Sequence, residues 1–230
     1  MCNGALIGPN WVVSTLRCLE PHTSFGGSRR DPDAASSDQA DADADSPLGH
    51  IQGTIPVPRH WVIKLGKSEN LRSFETHEQI YSIRHVIVGL GNESITDWDR
   101  PILIELSSLA SVSRHIVPLC PADERIEMKD TTVTGWGTKS PRFIPSKLLH
   151  VNITSVPKCP VPSNLRDFLC TENGEDNDVY YSVYENHGAP LVTYVGESWF
   201  LVGIVTDRKE DTTKFIDIRP FKQWLNQNMV

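Results

Sequence analysis

No stretch of this sequence approaches the roughly 20 consecutive apolar residues that a bilayer-crossing helix needs, so no membrane span is expected. Nor is there an excess of basic residues. Lys and Arg number 22 against 29 Asp and Glu, a formal charge of −7. A phosphate backbone would repel such a chain, so nucleic acid is not an expected partner. Residues 1–14 lack a basic start followed by a continuous apolar run and do not read as a signal peptide. The chain instead begins inside what reads as a strand. Cysteine is sparse and odd in number: Cys2, Cys18, Cys120, Cys159 and Cys170. Two intrachain pairs plus one thiol that pairs elsewhere would suit an extracellular protein, and five reduced thiols a cytosolic one. The sequons Asn92-Glu93-Ser94 and Asn152-Ile153-Thr154 make Asn92 and Asn152 glycosylation candidates and lean toward the secretory reading.

One segment lacks aromatic and β-branched residues altogether. Ser28–Ser46 holds two arginines and six aspartates, a local charge of −4. It cannot bury enough to order itself, and it forms the heart of an acidic insertion assigned to 24–58. Its Asp41-Ala42-Asp43-Ala44-Asp45 run fails as a calcium loop. Counted from Asp41, the sixth place is Ser46 rather than glycine and the twelfth is Gln52 rather than a carboxylate. The pair Arg29-Arg30 reads as a chance dibasic pair in an exposed loop.

What is present is a series of short β-rich runs separated by turn signals. Ala5-Leu6-Ile7 and Trp11-Val12-Val13 flank a Gly-Pro-Asn turn. Further runs are Trp61–Leu65, Gln79–Ile83, His85–Val88, Ile102–Leu106, Thr131–Thr134, Leu148–Ile153, Pro190–Tyr194 and Phe200–Val205. This pattern predicts an antiparallel sandwich or barrel. Hydrophobic residues, 39% of 230, suffice for one large all-β domain or two small ones. At the end, Phe221, Trp224 and Leu225 fall at i, i+3, i+4 and predict one short amphipathic helix.

The order of landmarks resembles the chymotrypsin/trypsin family of serine proteases. Cys2-Asn3-Gly4-Ala5-Leu6-Ile7 through Trp11-Val12-Val13-Ser14-Thr15-Leu16-Arg17-Cys18 is similar to that family's C-G-G-[ST]-L-I…W-V-[VL]-[ST]-A-A-H-C. Val117-Pro118-Leu119-Cys120 resembles I-P-[LV]-C, and Thr132–Thr138 resembles T-V-T-G-W-G-T. Asn186-His187-Gly188-Ala189-Pro190-Leu191-Val192 stands where the family has D-S-G-G-P-L-V, and Leu201–Val205 matches L-V-G-I-V. The resemblance covers nearly the whole chain, residues 1–230. It implies an all-β fold of two antiparallel six-stranded β-barrels closed by a short C-terminal α-helix. The family's Ile-Val-Gly-Gly start and first strand are not found.

The family's chemistry uses a serine nucleophile, a histidine base and a buried carboxylate that orients it. Carried over by position, the histidine place holds Arg17, which stays protonated at any ordinary pH. The serine place holds His187. The carboxylate place holds Arg100 in a gapless match or Asp99 with one inserted residue. If it is Asp99, an Asp99–Arg17 ion pair replaces the Asp–His pair. The places of the activation carboxylate, an oxyanion-hole glycine, the pocket floor and the cleft wall fall on Asn186, Glu185, the neighbourhood of Tyr181, and Asp207-Arg208. Val183 stands where a pocket cysteine would. The resemblance implies disulfides Cys2–Cys18 and Cys159–Cys170, and it leaves Cys120 unpaired or bridged to another chain. No cofactor and no metal is implied.

These readings make the chain a secreted, non-catalytic serine protease homologue that binds or regulates a protein partner, in a proteolytic cascade among the options. Two alternatives stand beside it. One is an active trypsin-like endopeptidase with unorthodox residues, for which Ser182 is the nearby nucleophile. The other is a degenerate or truncated product without activity.

Overall fold

The computed structural model describes residues 2–19, 53–55, 57, 60–69, 74–89, 97–136, 146–153, 156–159, 168–172, 186–209 and 212–230. Asn92, Tyr181, Ser182, Val183, Glu185 and nearly all of the acidic insertion lie outside them.

Among the described residues, thirteen strands form two antiparallel sheets. The first contains β1 (Ala5–Gly8), β2 (Trp11–Thr15), β3 (Gly53–Ile55), β4 (Val62–Leu65), β5 (Gln79–Val88) and β6 (Pro101–Leu106). Their order is β1-β2-β6-β5-β3, with β4 also paired to β5. The second contains β7 (Cys120–Pro121), β8 (Thr131–Gly135), β9 (Leu149–Ile153), β10 (Phe168–Glu172), β11 (Pro190–Val195), β12 (Ser198–Lys209) and β13 (Thr212–Asp217). Their order is β10-β13-β12-β11-β8-β9. The two-residue β7 adds a parallel pair to β12, a seventh strand beyond the expected six. The architecture is otherwise the one expected: two curled antiparallel sheets and a C-terminal helix, α1 (Lys222–Asn228).

Three apolar clusters explain the sequence pattern. Leu6, Val12, Val86, Val88, Ile102 and Ile104 fill the first sheet's core. Val133, Leu169, Leu191, Val202, Val205 and Phe215 fill the second's. Between them, Ile7, Trp11, Val13 and Leu103 of the first sheet meet Phe168, Leu201, Ile204 and Ile216 of the second, with Phe221 and Leu225 of the C-terminal segment. Strand β2 thus serves two cores, Val12 on one face and Val13 on the other, and all five of its residues are buried. That is why it reads as a continuous apolar run rather than an alternation. Burial of Leu225 and the edge-on Phe221–Trp224 ring pair (centroids 6.4 Å apart) seat the helix by the stripe read from sequence.

Several elements depart from the sequence reading. The runs Gln79–Ile83 and His85–Val88 are one ten-residue strand, β5. Its pairing with β6 jumps from Ile83↔Leu106 to His85↔Glu105, so Arg84 is the extra residue of a bulge. Strand β3 falls within the stretch 24–58 assigned to the insertion. Its pairing with Val86–Val88 places Gly53–Ile55 in the first sheet. Strands β10 and β13 were not expected, because Thr213 and Asp217 make β13 look polar. Both residues are buried, and Asp217 is matched by three bonds from Arg219, one from its backbone N–H and two from its guanidinium, and by one from Lys158. The described residues between β4 and β5 are also fixed by charge. Buried Glu75 accepts from the amides of Ser68 (2.8 Å) and Glu69 (2.7 Å) and from Ser68 Oγ (2.6 Å). Lys67 bonds buried Glu78 at 3.2 Å.

Candidate functional site

The site lies where the end of β2 meets the middle of β12. After Thr15 the chain turns into a 3-10 helix, Leu16–Leu19, pinned by a bond from Leu16 N to Arg100 O (2.8 Å). A second 3-10 turn, Asp97–Asp99, lies against it. Arg17 and Asp99 thereby face each other. The guanidinium donates to Asp99 Oδ1 from Nε (3.2 Å) and from a terminal nitrogen (2.7 Å). Thr206 Oγ1 donates to the same oxygen at 2.6 Å, and Lys214 Nζ donates to Oδ2 at 2.8 Å. Asp99 is 2% exposed. Two cations and a hydroxyl together supply what a buried anion requires.

Thr206 reaches this carboxylate because β12 is irregular there. Its register with β13 passes from Val205↔Phe215 to Asp207↔Lys214, which leaves Thr206 as the unmatched residue. A bulge re-aims a side chain that a regular ladder would hold in the sheet's alternation. The Thr206 carbonyl accepts from His187 Nδ1 at 2.8 Å. A carbonyl only accepts, so Nδ1 carries the ring's proton. Burial, with the Arg17 charge second, pushes the imidazole down to about 4, so His187 is neutral near pH 7. Lys214 completes the cluster, its ammonium also lying 3.8 Å from the Phe168 ring centre.

The loop carrying His187 is tied to the chain's beginning. Asn3 N donates to His187 O (2.8 Å), and Gly188 N donates to Val205 O (2.8 Å). Gly188 has φ +81°, and a Cβ there would collide with Asn3 O and Ser14 Oγ, so the turn requires glycine. Asn186 is fully buried, and its Nδ2 finds no hydrogen-bond partner among the described residues.

The structure therefore brings Arg17, Asp99 and His187 to one place. Of the two candidates for the carboxylate place, Asp99 faces Arg17. Arg100 turns the other way, and its Nε and a terminal nitrogen donate to Gly89 O at 2.9 and 2.8 Å. Cys2–Cys18 and Cys159–Cys170 are both disulfides, with Cα atoms 5.7 and 4.8 Å apart. Cys120 is free and exposed. Asn152 is exposed on β9. Sequence reasoning missed Thr206 and Lys214. Thr206 sits in a strand run that gives no sign of the bulge. Lys214 lies 115 residues from its partner in a segment that reads as exposed.

Arg17 cannot release its proton near neutral pH, and His187 has committed its own to a backbone carbonyl.

A comparison with family models finds Trypsin over residues 48–225. The chain belongs to the trypsin family. Among curated relatives, mannan-binding lectin serine protease 1 of Mus musculus is 26% identical over 245 residues, covering 98% of this chain and 31% of the relative. The Homo sapiens protein of that name is 27% identical, covering 89% and 28%. Vitamin K-dependent protein C of Oryctolagus cuniculus is 29% identical, covering 89% and 40%. The chain thus spans about three- to four-tenths of the length of these relatives. The family match begins at residue 48, beyond the Cys2–Cys18 hairpin, whereas the alignment with the mouse relative takes in nearly the whole chain.

Proposed function

We propose that this trypsin-family chain is not a protease but a secreted binding or regulatory protein, built to engage a protein partner within a proteolytic cascade. The observation that carries the reading is Arg17, in the place of the family's base, locked onto buried Asp99 at 2.7 Å. A general base must be unprotonated and free to accept a proton at working pH, and a paired guanidinium is neither. His187 in the nucleophile's place has neither a hydroxyl nor a base to activate it. What survives is scaffold: both disulfides, the inter-sheet core and the seated helix.

Secretion is supported by the two disulfides, which persist in oxidising compartments. Exposed Cys120 is the atom through which a further chain would be joined covalently. The acidic composition favours a protein partner over nucleic acid. None of the described helices is long and apolar enough to cross a membrane.

A fluorophosphonate probe, which labels activated serines, tests the reading on the secreted protein. The intact mass should be unchanged after incubation. A stoichiometric adduct lost in Ser182→Ala would make the chain an active hydrolase.

A further inference from the structure

The outer face of the second sheet carries a groove that the proposed function leaves unused. Register sets Asn152 on β9 opposite Thr132 on β8, Thr132 opposite Val192 on β11, and Tyr194 on β11 opposite Trp199 on β12. Residues two apart on a strand share a face, so Asn152, Thr132, Tyr194 and Trp199 stand together across four adjacent strands. They line a groove of about 460 Å³ with Asp130 and Ile153. Tyr194 and Trp199 are 51% and 46% exposed, and their rings are 5.0 Å apart. An exposed aromatic pair rimmed by polar groups marks a place that something covers.

The groove contains its own clue to the occupant. Asn152 begins the sequon Asn152-Ile153-Thr154. Thr132 Oγ1 donates to Asn152 Oδ1 at 3.0 Å, engaging the oxygen of the amide and leaving its nitrogen out of that bond. We propose that Asn152 carries an N-linked glycan whose first N-acetylglucosamine units lie along this groove, stacked on Tyr194 and Trp199. Attachment breaks the C1–O bond of a lipid-pyrophosphate-linked oligosaccharide and forms a C1–Nδ2 bond. Asn152 gives up one Nδ2 proton, and the lipid pyrophosphate leaves. Oδ1 keeps its bond from Thr132, which orients the linkage. Tyr194 lies two strands away, about 10 Å at ordinary strand spacing, within reach of the first sugars. A pyranose ring sets its C–H face against an aromatic ring, while Asp130 and Thr132 offer polar partners to its hydroxyl and N-acetyl groups. The glycan would also lie beside β9, which ends the strand order of its sheet among the described residues.

This inference rests on the secretory reading, and the experiment separates the two. The chain, placed behind a cleavable secretion leader, is expressed in a glycosylating cell line as wild type, Asn152→Gln, Trp199→Ser/Tyr194→Ser and the triple variant. Occupancy is read by mass spectrometry and stability by thermal unfolding. Trp199 and Tyr194 are half exposed, so their replacement should not prevent folding. The expected result is an occupied Asn152 and a melting temperature that falls by about 2–4 °C on Asn152→Gln, a fall that disappears in the aromatic-deleted background. An equal fall in both backgrounds, or no fall, would overturn the stacking. A chain that is secreted with Asn152 unmodified would overturn the site itself. Retention of the leader-bearing chain with Cys2–Cys18 and Cys159–Cys170 unformed would overturn the secretory reading on which it stands.

Discussion

Arg17 and Asp99, 82 residues apart in sequence, meet in an ion pair at 2.7 Å whose acid is buried and whose base is only partly so. Lys214 and Thr206 hold the same carboxylate from the opposite sheet. The pair is therefore also a clamp between the two halves of the molecule. Its four groups come from the 3-10 helix after β2, the turn before β6, β12 and β13.

Removing the shared anion should cost more than removing either cation. In Asp99→Ala, Arg17 and Lys214 lose the carboxylate they share, a change worth about 3–5 kcal/mol at buried sites. Arg17→Met leaves Asp99 with Lys214 and Thr206 and should cost distinctly less. Urea unfolding of both variants checks the order. Equal losses would mean that Lys214 does not share the load.

His187 should make stability depend on pH in a definite direction. Its folded value of about 4 lies below the ordinary 6.5. The unfolded chain therefore takes up the proton first as pH falls, and stability is lost progressively from about pH 6.5 down to 4. The loss is roughly 3 kcal/mol in all. His187→Gln, which can keep a donor toward the Thr206 carbonyl, should flatten that part of the profile. The measurement is the difference in urea midpoint between pH 7.5 and pH 4.5 for the two proteins.

Cys120 should be the thiol that reacts under native conditions. The four other cysteines are held in two disulfides, while Cys120 is exposed. Maleimide labelling of the purified monomer should add one group, and labelling after reduction and unfolding should add five. Any covalent dimer or heteromer formed on secretion should vanish in Cys120→Ser. Opening Cys2–Cys18, in contrast, should lower stability by about 2–4 kcal/mol.

Most of the scaffold was legible because its signals are local. The Gly8-Pro9-Asn10 turn, the double-sided apolar run Trp11–Val13 and the stripe of Phe221, Trp224 and Leu225 each announce their element within a few residues. Strand β13 was hidden because its buried polar residues look exposed until Arg219 and Lys158 are seen to satisfy Asp217. The gap read at Arg84 was real as an irregularity but marks a bulge, not a strand end. At the site, sequence left a one-residue ambiguity between Asp99 and Arg100. The structure turns these neighbours in opposite directions, toward Arg17 and toward Gly89. The roles of Thr206 and Lys214 depend on a bulge and on contacts more than 100 residues long, which no local pattern carries.

The account stands or falls on whether this site cleaves peptide bonds. The direct measurement is exposure of the secreted protein to an unbiased peptide library, read by mass spectrometry beside His187→Ala and Ser182→Ala. The account predicts no cleavage by the wild-type chain above the level of either variant. Cleavage that either substitution abolishes would contradict it and would show that the site performs hydrolysis despite Arg17.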